Sequence, residues 1–306
     1  MLRFPRLTTL VLIVLFATLL SAAGAMASPG AQTAPGLGSA ASFAVLGGQT
    51  VTNTGPTTIF GDLGVSPGSA ITGFPPGSLT AGATHAADAV ALQAQSDVTI
   101  AYDDLAGQAC TGDITGQDLG GQTLTEGVYC STSSSQLTGA LTLDAQGNAD
   151  AVFIFKMVST LTTASSSSVS VINGGTACNV FWQVGSSATL GTTTQFVGNI
   201  LALTSIALQN NADVVGRALA RNGEVTMDTN DVSIQGCPGA PAAPTPTGTP
   251  TTPTVPGLPS TGGAPLQNGG FPWIVVLVAS VMGSLGAVVL VLSVLGVSAP
   301  VRRRRE

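Results

Sequence analysis

Positive charge is almost absent from the body of this 306-residue chain. Of nine Lys and Arg, Arg3 and Arg6 stand at the start and Arg302 to Arg305 at the end, leaving only Lys156, Arg217 and Arg221 between them. Fourteen of the fifteen acids share that interval, so three cations face fourteen acids for a net charge of about −11. A nucleic-acid partner needs clustered cations to displace counterions from phosphates, and that class is excluded. Histidine occurs once, at His85, and no cysteine pair has CxxC spacing, which argues against a metal site. No cofactor is expected either. Tryptophan occurs twice: Trp273 opens an apolar run, and Trp182 sits in the apolar stretch VFWQV, a core position and not a platform for sugars.

Both chain ends carry apolar segments. Residues 1–27, MLRFPRLTTLVLIVLFATLLSAAGAMA, place two arginines before an apolar run and end on Ala25-Met26-Ala27, the order of a secretory signal peptide cleaved after Ala27. An uncleaved membrane anchor is the alternative. Trp273 to Val297 is uncharged and apolar, about 37 Å as a helix and long enough to cross a bilayer. The basic tail at 298–306 is expected to stay in the cytoplasm. Just upstream stands Leu258-Pro259-Ser260-Thr261-Gly262. This order of motif, span and basic tail resembles the sortase sorting signal of Gram-positive cell-wall proteins. The resemblance implies cleavage between Thr261 and Gly262, attachment of Thr261 to peptidoglycan, and sortase, peptidoglycan and transiently the membrane as partners. A plain membrane anchor is the other reading.

The interval between is therefore expected outside the cell. Its four cysteines, Cys110, Cys130, Cys178 and Cys237, are even in number, which favours two disulfides in an exported domain. Of three pairings, Cys110–Cys130 with Cys178–Cys237 is preferred, because each bond would tie a local or terminal segment to the body. Residues 238–257, PGAPAAPTPTGTPTTPTVPG, hold seven prolines and no charge and form an extended stalk. A short linker at 28–36 leaves 37–237 as one globular domain.

Within that domain Ala87, Val90, Ala94, Val98, Ala101 and Leu105 recur at helical spacing, with Thr84 as the expected N-cap and Gly107 as the end. The alanine-rich stripe suits close packing along a flat surface. The remainder is rich in Thr, Ser, Val, Gly and Asn and breaks into short strands with Gly or Asn corners. Four stretches repeat: TLTT at Thr160–Thr163, TLGT at Thr189–Thr192, ALQN at Ala207–Asn210 and TMDT at Thr226–Thr229. Aligned on their apolar residue, Leu190, Leu208 and Met227 lie 18 and 19 residues apart, and Leu161 precedes by a longer interval. A period near twenty points to a solenoid whose coils stack to complete one core. Its open ends expose strand edges, which the helix or a terminal loop is expected to cover. If the apolar residue points inward, the residues beside it point outward, placing Thr160, Thr189, Ala207 and Thr226 in one column. These threonines could instead be ordinary surface, or inward corner ladders satisfying backbone groups.

Residues 37–234 as a whole resemble the ice-binding protein family. The resemblance is carried by LGSAASFAVLGGQTVTNTGPTTIFGDLGVSPG (37–68), GFPPG (73–77), HAADA (85–89), LTLDAQGNADAVFIF (141–155), CNVFWQVGSSATLGT (178–192), VGNILALTSIAL (197–208) and GRALARNGEVTMDTN (216–230). It implies a mainly β, right-handed discontinuous β-solenoid with one long α-helix alongside. It also implies adsorption to the surface of an ice crystal through a flat face with T-x-x-T or T-x-x-N positions, here Thr160, Thr163, Thr189, Thr192, Asn210, Thr226 and Thr229. Ala207 breaks the first column, and Gln209 and Asp228 depart from the pattern. Should that face be inactive, the run Thr50-Val51-Thr52-Asn53-Thr54 is the next candidate.

Two rival classes remain. A wall-anchored adhesin for glycan or protein would share the same location. A β-helix polysaccharide enzyme would need a positioned base or a carboxylate pair. Asp103 and Asp104 diverge around the predicted helix, Asp228 and Asp231 are isolated, Arg217 and Arg221 suit coil-to-coil hydrogen bonds, and His85 neighbours the helix start. No catalytic set is expected.

Overall fold

Most strands of this chain are three to five residues long, too short to bury enough apolar surface to stand alone, and the chain stacks them in parallel. The computed structural model describes residues 32–242; the segment 1–27, most of the stalk, the LPSTG motif, the apolar run 273–297 and the basic tail lie outside the described residues. Parallel sheets of fifteen and seven strands form the walls of a discontinuous β-solenoid, with one long helix alongside. A full coil gives one strand to each of three faces.

The sequence marks where the chain passes from one face to the next. In Gln195–Ala202 and Asp213–Ala220 burial alternates over the first half and is continuous over the second. The first halves join face two, where Gln195 pairs with Ser168 and Val214 with Val232. The second halves join face one, where Ile200 pairs with Trp182 and Ala218 with Val45. Between the halves sit Gly198 and Gly216, at φ +118° and +143°. A Cβ on Gly216 would lie 2.1 Å from the Gly198 carbonyl oxygen, so this bend admits no side chain.

Face one is buried on both sides. Inward, Phe155 stacks on Trp182 at 4.0 Å between ring centroids, and Phe196 lies 4.9 Å beyond. Outward, Leu46, Ile154, Phe181, Leu201 and Leu219 meet the helix α1 (Ala89–Gly107), which buries Ala91, Ala94, Val98, Ala101, Tyr102 and Leu105 against them. The cap differs from the sequence expectation. Asp88 is the N-cap, its carboxylate accepting from the Ala91 N–H at 2.8 Å. Thr84 instead pairs with Leu63 and extends the face-one ladder, so the backbone there is already committed to the sheet. Starting later puts Ala91 in the buried stripe, leaves Val90 exposed and leaves Ala87 outside the helix. At the other end the Lys156 ammonium donates to the carbonyls of Ala106 and Gln108 at 2.8 and 2.6 Å, favourable for a cation at a helix C-terminus.

The solenoid is discontinuous because the N-terminal strands stack on the C-terminal coil. Val45 pairs with Ala218, Thr52 with Thr226 and Thr58 with Asp231. The chain must then reach the far end before its remaining coils can build back. A nineteen-residue helix is about 28 Å long, close to the roughly 29 Å spanned by six coil spacings of about 4.8 Å. Helix α1 thus covers a face and not an end. The ends are closed by side chains. At one, the Asp118 carboxylate accepts from Gly120 and Thr138 N–H at 2.9 and 2.8 Å, and Gln122 donates to the Asp118 carbonyl at 2.6 Å. At the other, the edge strand Ala70–Thr72 runs into Pro75 and Pro76, which have no N–H to offer a neighbouring strand.

Cys110 bonds Cys130 and Cys178 bonds Cys237. Beside the second bond Arg217 is buried, and burial pushes its guanidinium down to about 10.

Aspartates fasten several caps and corners, and their carboxyls are held below the ordinary value. Ala91 N–H does this for Asp88, the Ser39 hydroxyl for Asp97, the Thr115 side chain for Asp113 and Asn173 for Asp144. Depressed folded-state values contribute stability above the unfolded aspartate range, near 4, that is lost as pH falls through the folded values. The melting temperature, followed by circular dichroism, is expected to hold from pH 7 to about pH 4.5 and to drop progressively below pH 4.

Candidate functional site

Of the three faces, one is occupied by helix α1. Face two presents an outward column of Thr123, Thr142, Ser170, Val197, Val215 and Ser233 in register. Asp213 and Asp231 flank it on neighbouring coils, with Gln195 bonded to Asp213 at 2.9 Å. Stacked carboxylates bind water strongly and individually, so this face is polar in an ordinary way.

Face three is the seven-stranded sheet. In Ala188–Leu190, Ile206–Leu208 and Val225–Met227 the outer residues are buried and the middle one faces out. Register aligns those middle residues as Gln136, Thr162, Thr189, Ala207, Thr226, Thr52 and Thr72. Seven positions about 4.8 Å apart make a column without a charge, the Gln136 amide at one end and methyls and hydroxyls along the rest. A second row, two residues upstream, holds Ser134, Thr160, Ser187, Ser205, Glu224 and Thr50, cross-linked where the Thr160 hydroxyl donates to Ser134 Oγ at 2.9 Å.

The residues singled out from sequence separate on this geometry. Thr189, Ala207 and Thr226 share the central column. Thr160 does not: Leu161 pairs with Ala188 and Thr162 with Thr189, two residues from the alignment of Leu161 with Leu190. The inward sites beside Thr162 accept both a leucine and a threonine, and this hid the true register. Thr163 is one of them, 3% exposed, its hydroxyl accepting from the Gly191 N–H at 2.8 Å and paired with the Thr194 hydroxyl at 2.9 Å. It is an inward ladder residue and has no surface to offer. Thr192 and Asn210 lie at the margin of face three; the Thr192 hydroxyl donates to Ser165 at 2.8 Å. Thr229 has turned the corner. With φ of +59° it shares the left-handed conformation of Ser166, Thr193 and Asn211 in earlier coils, because the turn after Thr226 is one residue shorter.

Thr162, Thr52 and Thr72 were not among the sequence candidates for this column. Thr52 sits in the alternating run Thr50-Val51-Thr52, which does signal an outward threonine. Its place beside Thr226, 174 residues away, follows only from the discontinuous stacking. Asp228 is half-buried and accepts from the Thr229 hydroxyl at 3.0 Å, so its charge is folded into the corner. Glu224 stays exposed in the upstream row, its carboxylate 3.4 Å from the Thr50 hydroxyl.

Elsewhere the chemistry-bearing residues have structural partners. Trp182 is fully buried and donates to the Val197 carbonyl at 3.0 Å. His85 meets Asp88 at 2.8 Å beside the helix cap, and Arg221 meets Asp103 at 3.8 Å. Among the described residues no three His, Cys, Asp or Glu side chains gather.

A family model described as ice-binding-like matches residues 45–233. An ice-binding protein of Nostoc sp. (strain HG1) is 60% identical over 198 residues, covering 64% of this chain and 73% of that protein. Among solved structures, an ice-binding protein from an Antarctic biological consortium aligns with a TM-score of 0.65 at 49% identity, covering 67% of this chain and 93% of that one. One from the Antarctic ascomycete Antarctomyces psychrotrophicus aligns with a TM-score of 0.64 at 44% identity, covering 66% and 99%.

Replacing Thr163 by Val keeps the shape but strands the Gly191 N–H and leaves the Thr194 hydroxyl only its longer bond to the Ala164 carbonyl at 3.3 Å. Urea denaturation is expected to show a loss of about 1–3 kcal/mol, while surface properties of the folded fraction stay unchanged. An unaltered midpoint would mean that the hydroxyl is not needed inside.

Proposed function

Because the chain belongs to the ice-binding-like family, we propose that it adsorbs to ice through face three. The observation that carries this reading is the register-aligned column Thr162, Thr189, Ala207, Thr226, Thr52 and Thr72. Repeats of about 4.8 Å between coils and about 6.7 Å along a strand offer hydroxyls to an ordered water layer and methyls that keep it from being pulled out of order. Parallel stacking holds the column rigid, so little side-chain freedom is lost on contact. The activity is adsorption and not catalysis. Thr160, Ser187 and Ser205 border the column on one side, Thr192 and Asn210 on the other.

The display of this surface is part of the proposal. Supported by the order of leader, domain, Pro/Thr stalk, LPSTG motif, apolar span and basic tail, the domain is exported and Thr261 becomes linked to peptidoglycan. In that arrangement the stalk holds the ice-contact face away from the wall. Thr261→Ala is expected to leave folding intact and to remove the protein from muramidase-released wall fragments. Equal release from wild type and variant would make the motif incidental.

For the face itself, Thr226→Tyr lifts the surface from the ice over several neighbouring residues. Its stability should stay within about 0.5 kcal/mol of wild type, whereas inhibition of ice recrystallisation should fall sharply. Ser170→Tyr, on face two, should change neither. Loss of activity from Ser170→Tyr with Thr226→Tyr fully active would move the contact to face two, and recovery of wild-type protein only from the unfrozen liquid in ice-affinity partition would remove the reading.

A further inference from the structure

Among the described residues Arg217 is the only charged side chain that is buried, 1% exposed. Its Nε and Nη2 both donate to the Ala41 carbonyl, Nη2 also to the Pro238 carbonyl at 2.8 Å, and Nη1 to Asn199 Oδ1 at 2.8 Å. All these acceptors are neutral. Among the described residues the ion pairs are His85–Asp88 and Arg221–Asp103, so no carboxylate of that region balances the buried cation. A guanidinium has five N–H donors, and four are used, which leaves one on Nη1.

Beside this group lies a cavity of about 260 Å³, lined by Arg217, Asn179, Phe181, Leu37, Gly36 and Pro238 among others. Its walls are mostly apolar. We propose that this cavity binds a small, weakly hydrated monovalent anion of the size of chloride or bromide, held by the spare Nη1 N–H of Arg217. The donor count selects the ligand class. A carboxylate prefers two parallel N–H groups, and the parallel Nε and Nη2 pair is already taken by the Ala41 carbonyl, with the other Nη2 N–H on Pro238, whereas a monatomic anion needs one direction only. The guanidinium is itself weakly hydrated, and apolar walls penalise a halide less than a strongly hydrated anion. Arg217 joins the segment before the first strand at Ala41, the coil at Asn199 and the segment after Cys237 at Pro238, so occupancy would tighten the hold of those two flanking segments on the solenoid. This inference does not rest on face three being the ice contact.

The test compares melting of the purified protein in sodium chloride, sodium bromide and sodium gluconate at equal ionic strength, with Arg217→Gln alongside. The expected result is a saturable, halide-specific rise of about 4 °C at ten times the dissociation constant, absent from the variant. Crystals soaked in bromide should give an anomalous peak against Arg217 Nη1. Identical melts in chloride and gluconate, an equal rise in Arg217→Gln, or a cavity without a bromide peak overturns the proposal. If Arg217→Gln does not fold, the wild-type halide titration and the bromide peak decide by themselves.

Discussion

Parallel stacking of short strands is the constraint from which the rest of this molecule follows. Each coil must lie on the next at one fixed spacing, so any position, inward or outward, becomes a column of like positions. Inward columns must be apolar or fully bonded, as in the ladder Phe155, Trp182 and Ile200. Outward columns become regular surfaces whether or not a function needs them. The regularity of Thr189, Ala207 and Thr226 is in this sense inherited from the core: Leu190 and Leu208 have to align, and the residues beside them align with them.

Corners are where such a scheme is most expensive, because the backbone turns and its polar groups lose their ladder partners. The chain meets this with buried amides and hydroxyls. Asn230 donates to the carbonyls of Gln209 and Ala212 and accepts from the Asp228 N–H. Asn53 does the same between Gly55, Gly73 and Thr57, and Thr163 with Thr194 does so one coil after another. The same residue types therefore serve inside and outside. Inside they satisfy the backbone; outside they face water. This double use is why composition alone overstates the threonine surface.

The helix breaks the equivalence of the three faces. By burying Leu46, Phe181, Leu201 and Leu219 it removes face one from solvent, and by carrying the chain along the solenoid it lets the N-terminal strands lengthen face three past Thr226. Charge then separates the other two. Asp213 and Asp231 stand on face two, while face three keeps its charges at the margin, with Asp228 bonded into the corner and Glu224 in the bordering row.

How much of this was legible beforehand depends on distance along the chain. The solenoid, the long alanine-striped helix, the inward Leu190, Leu208 and Met227 and the buried Trp182 could be read from local periodicity, because a side chain's direction in a strand depends only on its immediate neighbours. The helix cap could not, since Asp88 and Thr84 both suit that role and only the pairing of Thr84 with Leu63 rules one out. Nor could the composition of the surface column. Thr162 replaces Thr160 because register is set by hydrogen bonds to the next coil, and Thr163 is inside because a corner needed its hydroxyl. Thr52 and Thr72 join the same column through contacts that cross most of the chain. Sequence by itself determined which residues alternate and what period they keep; tertiary structure alone decided which of them share a line, because stacking order in a discontinuous solenoid is not the order of the chain.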